Sequence, residues 1–409
     1  MNVSWWKISL LSVIIMAAAV VVAGLTSITT ANQDRVIMGV QSDGTTIAGM
    51  TYDEVRSYYA KTAHGKLSRP AVVASCDNKT WKINPQDINL QADVEQAARA
   101  AYSIGRDGSP IANIITQLRI AITGTNVPLT GTYDEDKLQV ALAQIKGQIE
   151  RNPVNAAIQL QPGGTFKRSP AVIGRTIDMQ PVAESLAPKL QALQLTVQAE
   201  LTPTDTAPAI VDSDLSAIDT VLGSYTTQYA PGDRGDNITL AANHLQGVLV
   251  RSQATFSFND TVGPRSRANG FKDAGVIIDG KHAIDSGGGV CQVSSTLYNA
   301  ILLAGLTSVE RQAHFFPSTY CPPGRDATVA DNLIDFKFRN QLPHPVCLQV
   351  SNTGHSLTIY VLGTRADLGG DTLSLENTGS RQSPSIYRLW LQNGTVIERE
   401  FLHTDHYET

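Results

Sequence analysis

A single cysteine behind a glycine-rich turn is the most distinctive chemical feature of this sequence. Residues 287–289 are glycines and stand just before Cys291, within the stretch DSGGGVCQVSSTLYNAILLAGL at 285–306. Apolar residues then recur at helical spacing and Gly305 supplies a stop, so Cys291 is predicted in the first turn of a helix. Unpaired N–H groups and the helix dipole there stabilise a thiolate and lower the thiol pKa. The N–H groups near Cys291 and Gln292 would also suit an oxyanion.

The residues that follow this helix supply partners for such a thiol. Residues 308–316 have a strand pattern and carry His314, and three carboxylates lie beyond it at Asp326, Asp331 and Asp335. Cysteine-dependent acyl-transfer enzymes use a nucleophile, a base and a group that orients the base. The sequence therefore predicts Cys291 as nucleophile, His314 as general base and Asp326 as the orienting carboxylate.

Structural roles for the same residues stay open at this level. A free cysteine is commonly buried as a small apolar residue, and a disulfide from Cys291 to Cys76, Cys321 or Cys347 is a further alternative. His314 would then be a hydrogen-bonded structural histidine. No Gly-Lys-Ser/Thr follows the glycines, so they are not a phosphate-binding loop, and no CxxC or HExxH spacing predicts a metal site. We expect neither a cofactor nor a metal.

Three arginines near the motif are candidates for binding a carboxylate ligand. Arg265 follows a predicted turn, Arg311 lies on the predicted strand, and Arg325 begins the polar segment GRDATV. A guanidinium group binds a carboxylate through two parallel hydrogen bonds. Internal ion pairs with Asp or Glu explain the same residues equally well.

An apolar segment precedes everything described so far. Residues 8–25 carry no charge, and extended to residue 28 the segment is long enough to cross a bilayer, which takes about 20 residues. Lys7 precedes it and Asp34 is the first charge after it, so the positive-inside rule predicts a cytoplasmic N-terminus. We expect residues 1–31 to be a single-pass signal anchor, with residues 8–28 in the lipid bilayer and the bulk extracytoplasmic. A cleaved signal peptide and a buried helix are the alternatives.

The rest of the chain divides by composition and periodicity into an α+β arrangement. Residues 32–69 are predicted to form a strand–helix unit, with Thr51 and Glu54 as a capping box. A weak repeat relates TWKINP at 80–85 to TFKRSP at 165–170. The predicted domains are a duplicated α+β region (70–202), a Pro/Thr/Asp-rich linker (203–214), a strand-rich domain carrying Cys291 (215–365) and a β-hairpin extension (366–409), with a turn at Asn393-Gly394.

Composition limits the classes of function. The 409 residues are 42% hydrophobic and 17% charged, and the net charge is −5, so the chain is globular and offers no general basic surface. Nucleic acid is therefore not an expected partner. Four cysteines are too few for a disulfide scaffold, so the domains must depend on apolar cores.

Successive motifs resemble the VanW family, which is named for an accessory gene of some glycopeptide-resistance clusters. They are FSFNDTVGPRSRANGFKDAGVIIDGK, GGGVCQVSSTLYNAILLAGL, ERQAHFFPSTY and GRDATVADNLIDFKFRN, and they cover about 240–363. The region before them, about 70–200, more weakly resembles the peptidoglycan-binding domain that often precedes VanW domains. The resemblance implies a bacterial cell-envelope protein whose partner is peptidoglycan or its stem peptides, with an envelope protein complex as a further partner.

The resemblance also extends the set of candidate site residues. Positions that match the family motifs add Gly288, Gly289, Gln292 and Ser294 to Arg311 and Arg325 as residues expected to bind substrate. Two hypotheses follow. The chain is a membrane-anchored factor that binds peptidoglycan and assists wall assembly or glycopeptide resistance, or it is a cysteine-dependent enzyme acting on wall peptides. A structural role in a membrane complex is a third.

Overall fold

The chain forms two compact units in a computed structural model. Unit 1 comprises Met1–Asn152 and Gly174–Thr206, and unit 2 comprises Pro153–Ile173 and Ala207–Thr409. The structure describes residues 10, 12–17, 19–20, 23–24, 30 and 32–408 except 279–280. The side chains of residues 276–283 are also outside the description.

Helices lie in both units. They are α1 Tyr52–Leu67, α2 Val94–Ser103, α3 Pro110–Thr123, α4 Glu135–Ile149, α5 Gln180–Gln191, α6 Asp212–Leu215, α7 Asp233–Leu245, α8 Phe258–Val262 and α9 Val290–Leu303. Short 3-10 helices lie at Pro85–Ile88, Arg267–Asn269 and Arg365–Leu368.

The strands are numbered along the chain. They are β1 Val40–Ser42, β2 Thr45–Thr46, β3 Val72–Cys76, β4 Lys79–Ile83, β5 Gln91–Ala92, β6 Thr125–Asn126, β7 Gly131–Thr132, β8 Ala157–Leu160, β9 Phe166–Ser169, β10 Gly174–Thr176, β11 Val197–Glu200, β12 Thr204–Thr206, β13 Thr220–Gln228, β14 Leu249–Val250, β15 Thr255–Ser257, β16 Asp273–Ile278, β17 Lys281–Ser286, β18 Thr307–Glu310, β19 Lys337–Arg339, β20 Val346–Asn352, β21 Ser356–Gly363, β22 Thr372–Gly379, β23 Pro384–Gln392 and β24 Thr395–Thr404.

Unit 1 packs helices against small sheets. The sheet β11-β3-β4 pairs β11 parallel and β4 antiparallel to the central β3. Thr51 caps α1 through the predicted box, since Glu54 N–H donates to Thr51 Oγ1 and Thr51 N–H donates to Glu54 Oε2. The apolar stripe of α4 (Leu138, Leu142, Ile145 and Ile149) is buried, as its spacing predicts.

Unit 2 is built around α9, whose side chains are mostly buried. The helix packs against β13 and β21 of the antiparallel sheet β13-β21-β20-β14. Gly223 of β13 permits this contact, because a Cβ there would lie 2.5 Å from Ala304 N and 2.6 Å from Ala300 O. Two further sheets, β15-β19-β18 and β22-β23-β24, complete the unit with the hairpin β16-β17. A buried helix held on several sides gives the first turn of α9 a fixed position.

The predicted α+β class is confirmed, as a mixture of helices and many small sheets. The predicted membrane anchor, residues 8–28, lies partly outside the described residues. Within the part of the chain that is described, no helix has both the length and the apolar character needed to cross a membrane.

Some predicted segments take a different form from the one expected. The two members of the predicted repeat lie in different units, since β4 belongs to unit 1 and β9 to unit 2. Strands β8 and β9 pair with each other as a hairpin. This hairpin therefore needs no strand partner from unit 1, although it falls within the predicted 70–202 region. The predicted linker contains β12 and α6, and the predicted hairpin at Asn393-Gly394 is extended by β22 into a three-stranded sheet.

Candidate functional site

The first turn of α9 is set by the glycines that precede it. Gly289 is the N-cap residue, with φ of +107°, a conformation that favours glycine. At Gly288 a Cβ would lie 2.7 Å from Gly275 O and 2.8 Å from Ala274 O, so the backbone of β16 approaches here as closely as a glycine allows. The glycine run thereby fixes the start of the helix and the position of Cys291.

Cys291 is partly exposed, while the helix residues that follow it are buried. Its Sγ lies 3.5 Å from Val329 N and 3.4 Å from Val329 O. The backbone N–H of Cys291 has no partner among the described residues, whereas that of Gln292 donates to Gly289 O at 3.0 Å. Of the two N–H groups predicted to hold an oxyanion, that of Cys291 is the one that remains available.

The structure brings His314 and Asp326 together beside this thiol. His314 Nδ1 lies 2.5 Å from Asp326 Oδ2, and the His314 backbone N–H donates to the same oxygen at 2.7 Å. The His314 side chain also lies close enough to Cys291 for each group to shift the pKa of the other. Since Nδ1 is engaged with Asp326, Nε2 is the ring nitrogen left for the thiol. The three predicted catalytic residues are thereby brought together, in the order thiol, imidazole and carboxylate.

Cys291, His314 and Asp326 change one another's pKa. Burial alone would raise the pKa of the Cys291 thiol, but the hydrogen bond and charge of His314 outweigh burial and lower it. Burial would lower the pKa of His314, yet its bonds to Asp326 and Cys291 raise it to about 9. Burial also opposes ionisation of Asp326, and His314 nevertheless holds its pKa below the ordinary value. All three shifts act in the same direction, since they favour a thiolate, an imidazolium and a carboxylate.

The other predicted carboxylates have different partners. Asp331 pairs with Arg265 through its side chain and accepts the Arg265 backbone N–H at 2.8 Å. Asp335 accepts from Ser257 Oγ at 2.6 Å and from the Asn259 backbone N–H at 2.9 Å. Of the three candidates, only Asp326 contacts His314.

The remaining cysteines do not pair with Cys291, because all four thiols are free. Cys76, Cys321 and Cys347 are buried. Among the described residues, no group of three or more His, Cys, Asp or Glu side chains is placed to hold a metal ion.

Most residues predicted to bind substrate have internal partners instead. The Gln292 side chain donates to Thr227 Oγ1 and Gln228 O and accepts from Arg234. Ser294 Oγ donates to Ala327 O at 2.6 Å and is fully buried. These hydrogen bonds hold the helix against its neighbours in unit 2.

Two of the arginines also have internal partners, which agrees with the alternative left open by the sequence. Arg311 is buried and binds Asp405 with two hydrogen bonds of 2.6 and 2.7 Å. Arg325 donates to Asn377 Oδ1 and Leu375 O on β22. Both therefore make internal contacts with neighbouring carboxylate, amide or carbonyl oxygens. Gly288 and Gly289 set the backbone geometry before the helix.

Several contributors to the site escape sequence reasoning. Val329 contacts the thiol through its backbone N–H and C=O, and any residue type could make these contacts. Ser295 Oγ donates to Cys291 O at 2.7 Å and accepts the Ala327 N–H at 2.9 Å. Tyr320 packs edge-on against the His314 ring, with 6.4 Å between ring centroids. Tyr407 donates to Asp326 Oδ1 from a distant part of the sequence.

Two family models match the chain. One, described as "VanW like protein", covers residues 233–362 and so includes Cys291, His314 and Asp326. The other, described as "Putative peptidoglycan binding domain", covers residues 81–198.

Curated relatives are similar to much of the same sequence. "Uncharacterized protein YoaR" of Bacillus subtilis is 35% identical over 238 residues, which is 57% of this chain and 77% of that protein. "Vancomycin B-type resistance protein VanW" of Enterococcus faecalis is 36% identical over 109 residues, 25% of this chain and 40% of that protein. No solved structure gives a significant match.

Proposed function

Because this chain belongs to the VanW-like family, which its similarity over most of YoaR establishes, we propose that it is a cysteine-dependent acyl-transfer enzyme of the bacterial cell wall. One observation carries the proposal: Asp326 holds the His314 imidazole by a hydrogen bond, and that imidazole lies near enough to Cys291, at the start of a buried helix, to lower the pKa of its thiol. A nucleophile, a base and an orienting group in that order are the parts that such an enzyme requires.

The proposed chemistry follows from the protonation states of the three groups. The Cys291 thiolate attacks the carbonyl carbon of a peptide bond, and the oxyanion that forms accepts the Cys291 backbone N–H. The C–N bond breaks as the His314 imidazolium gives its proton to the leaving amine. Water or a second amine then attacks the thioester, loses a proton to His314, and frees the thiol. Asp326 holds the ring throughout.

The proposed substrate is the peptide part of peptidoglycan. Support comes from the peptidoglycan-binding family match over residues 81–198 and from the relative named for vancomycin resistance. We also propose that residues 8–28 anchor the protein in the cell membrane with its bulk outside, on the strength of their length and lack of charge. Wall assembly and glycopeptide resistance are the processes that such an enzyme would serve.

An acyl-enzyme trap tests the enzymatic proposal. The full chain is incubated with synthetic stem peptides and then examined by intact mass spectrometry at acidic pH. We expect an acyl adduct on Cys291 that hydroxylamine removes, as it does with thioesters. The adduct should be absent from Cys291→Ala and present in Cys347→Ala, which removes a buried thiol elsewhere in unit 2. No adduct and no peptide cleavage with any stem peptide would refute the proposal.

Binding to the wall without chemistry is the second candidate, and the family match over residues 81–198 is the observation that favours it. The Cys291→Ala chain should then still co-sediment with purified sacculi. Retention of the variant together with an absence of adduct in the wild type would select the binding role.

A further inference from the structure

A segment outside the matched VanW region closes around the carboxylate of the site. We define the clasp as residues 403–408, which end β24 and follow it. The VanW family match stops at residue 362, so it contains Asp326 and none of the clasp. The clasp nevertheless makes several polar contacts with the loop that carries His314 and Asp326.

Tyr407 forms the central contact of the clasp. Its buried hydroxyl donates to Asp326 Oδ1 and accepts the Gly324 backbone N–H at 2.6 Å. The two oxygens of Asp326 are thereby divided, with Oδ1 bound by Tyr407 and Oδ2 bound by His314. A carboxylate held on both oxygens cannot rotate about its terminal bond without losing a buried hydrogen bond.

Two further residues of the clasp hold the same loop. Asp405 binds the buried Arg311, and Arg311 Nε in turn donates to the backbone carbonyl of Asp326 at 2.7 Å. His403 Nε2 lies 3.0 Å from Gly324 O. The clasp also reaches the chain beside His314, since Glu408 N–H donates to Phe315 O at 2.9 Å.

From these contacts we infer that the clasp completes the site, with Tyr407 as a positioning residue that acts on Cys291 through Asp326 and His314. The inference rests on the proposed function and assigns part of it to residues beyond the family domain. Tyr407 touches neither Cys291 nor a substrate. It keeps the carboxylate ionised and oriented, the carboxylate stabilises the imidazolium, and the imidazolium stabilises the thiolate.

Replacing the hydroxyl alone tests the inference. Tyr407→Phe keeps the ring and removes the bond to Asp326, while Tyr387→Phe is the matched control, because Tyr387 lies on the neighbouring β23 and packs against Phe401. The readout is the rate at which iodoacetamide alkylates Cys291 in the full chain as a function of pH. We expect the rise of alkylation rate with pH to move to higher pH in Tyr407→Phe. At pH values below this rise the variant should react more slowly than the wild type by about threefold or more, which corresponds to the net free energy of one hydrogen bond. The control should follow the wild type.

The assay separates failure of folding, of this inference and of the proposed function. Cys321 and Cys347 are buried thiols, so their labelling in a variant reports loss of the fold. Should Tyr407→Phe unfold, Asp405→Asn tests the second arm of the clasp and should move the profile in the same direction. A wild-type profile like that of free cysteine would overturn the proposed function. If the wild-type profile lies at lower pH than that of free cysteine, and a folded clasp variant has the same profile as the wild type, this inference alone is overturned.

Discussion

Asp326 holds His314 twice through one oxygen, since Oδ2 accepts the backbone N–H of His314 at 2.7 Å and lies 2.5 Å from its Nδ1. The Asp326 side chain is almost wholly buried, and the His314 side chain is mostly buried. Their interaction is therefore weakly screened by solvent. The double contact fixes both the tautomer and the direction of the imidazole, and so decides which ring nitrogen faces Cys291.

Removing the charge of Asp326 should therefore disable the site. We expect Asp326→Asn to lower turnover of a stem peptide by about 100-fold, the lower range of what positioned acid–base groups contribute. An amide cannot stabilise the imidazolium and can present an N–H to Nδ1, which favours the wrong tautomer. The measurement is single-turnover kinetics by mass spectrometry.

Asp367→Asn is the control for this variant. Asp367 Oδ1 lies 2.7 Å from His344 Nδ1, so unit 2 contains a second Asp–His pair that does not involve Cys291. We expect this variant to retain wild-type turnover. Equal losses in the two variants would mean that Asp326 matters only for stability.

The acidity of Cys291 should depend on His314. Without the imidazolium, burial dominates, as it does at Cys321 and Cys347, where it raises the thiol pKa to about 12. The wild-type Cys291 should react with iodoacetamide at a lower pH than free cysteine, whose pKa is about 8.5. In His314→Gln the reaction at pH 7 should be at least about tenfold slower, the effect of raising the thiol pKa by one or more.

Peptide mapping of the labelled protein measures this difference, with His344→Gln as the control. Cys321 and Cys347 should stay unlabelled at neutral pH in every variant. Rapid labelling of Cys291 in His314→Gln would show that the helix N-terminus alone activates the thiol.

Local sequence rules predicted that Cys291 lies in the first turn of a helix. Helix α4 at Glu135–Ile149 is equally local in origin, because its apolar spacing and the acceptor at Asp134 act within one segment. Cys291 was found by its place between a glycine run and an apolar helix. Such signals are local, and the fold preserves them.

Contacts between distant segments were not predictable from the same rules. Tyr407 and Asp326 are separated by 81 residues, and nothing in either residue's neighbours indicates the pairing. Gly223 allows β13 to pack on α9, yet an isolated glycine in a strand has several explanations. The internal ion pair of Arg311 was not predictable for a related reason, because its partner Asp405 lies 94 residues away.

The glycine at position 288 should be required for the geometry of the site. In Gly288→Ala the new methyl group would meet backbone atoms of Ala274 and Gly275 within 2.8 Å, and backbone cannot turn away as a flexible side chain can. The start of α9 must then shift against β16. We expect a loss of about 1–3 kcal/mol in the free energy of unfolding, and slower turnover, since a displacement of about 1 Å can cost 100-fold.

Gly275→Ala is the matched variant for this test, because a Cβ at Gly275 would have no atom of the described residues within 4 Å. Urea unfolding and single-turnover kinetics should leave it close to wild type. Wild-type turnover in Gly288→Ala would show that the close approach of the two backbones is unnecessary for the site.

The ion pair of the clasp should make unit 2 sensitive to acid. Burial opposes ionisation of Asp405, but hydrogen bonds from His403 and Arg311 lower its pKa to about 2, from an ordinary value of 3.8. A depressed folded-state pKa gives stability that is present above the unfolded-state pKa and is lost as the pH falls through the folded-state value. With screening by solvent taken into account, that contribution is about 1–2 kcal/mol, lost between about pH 4 and pH 2.

Asp405→Asn should remove this pH dependence as well as the ion pair. At pH 7 the variant leaves Arg311 buried without its bidentate partner, which costs about 3 kcal/mol in comparable buried pairs. The difference from wild type should shrink by about 1–2 kcal/mol between pH 4 and pH 2, because the wild type loses the same charge there. Urea unfolding at several pH values measures both effects.

Glu376→Gln, which breaks an exposed pair with Arg399, is the control and should change stability by less than about 1 kcal/mol at any pH. A constant gap between Asp405→Asn and wild type down to pH 2 would mean that the Asp405 carboxylate does not hold its charge in the folded protein.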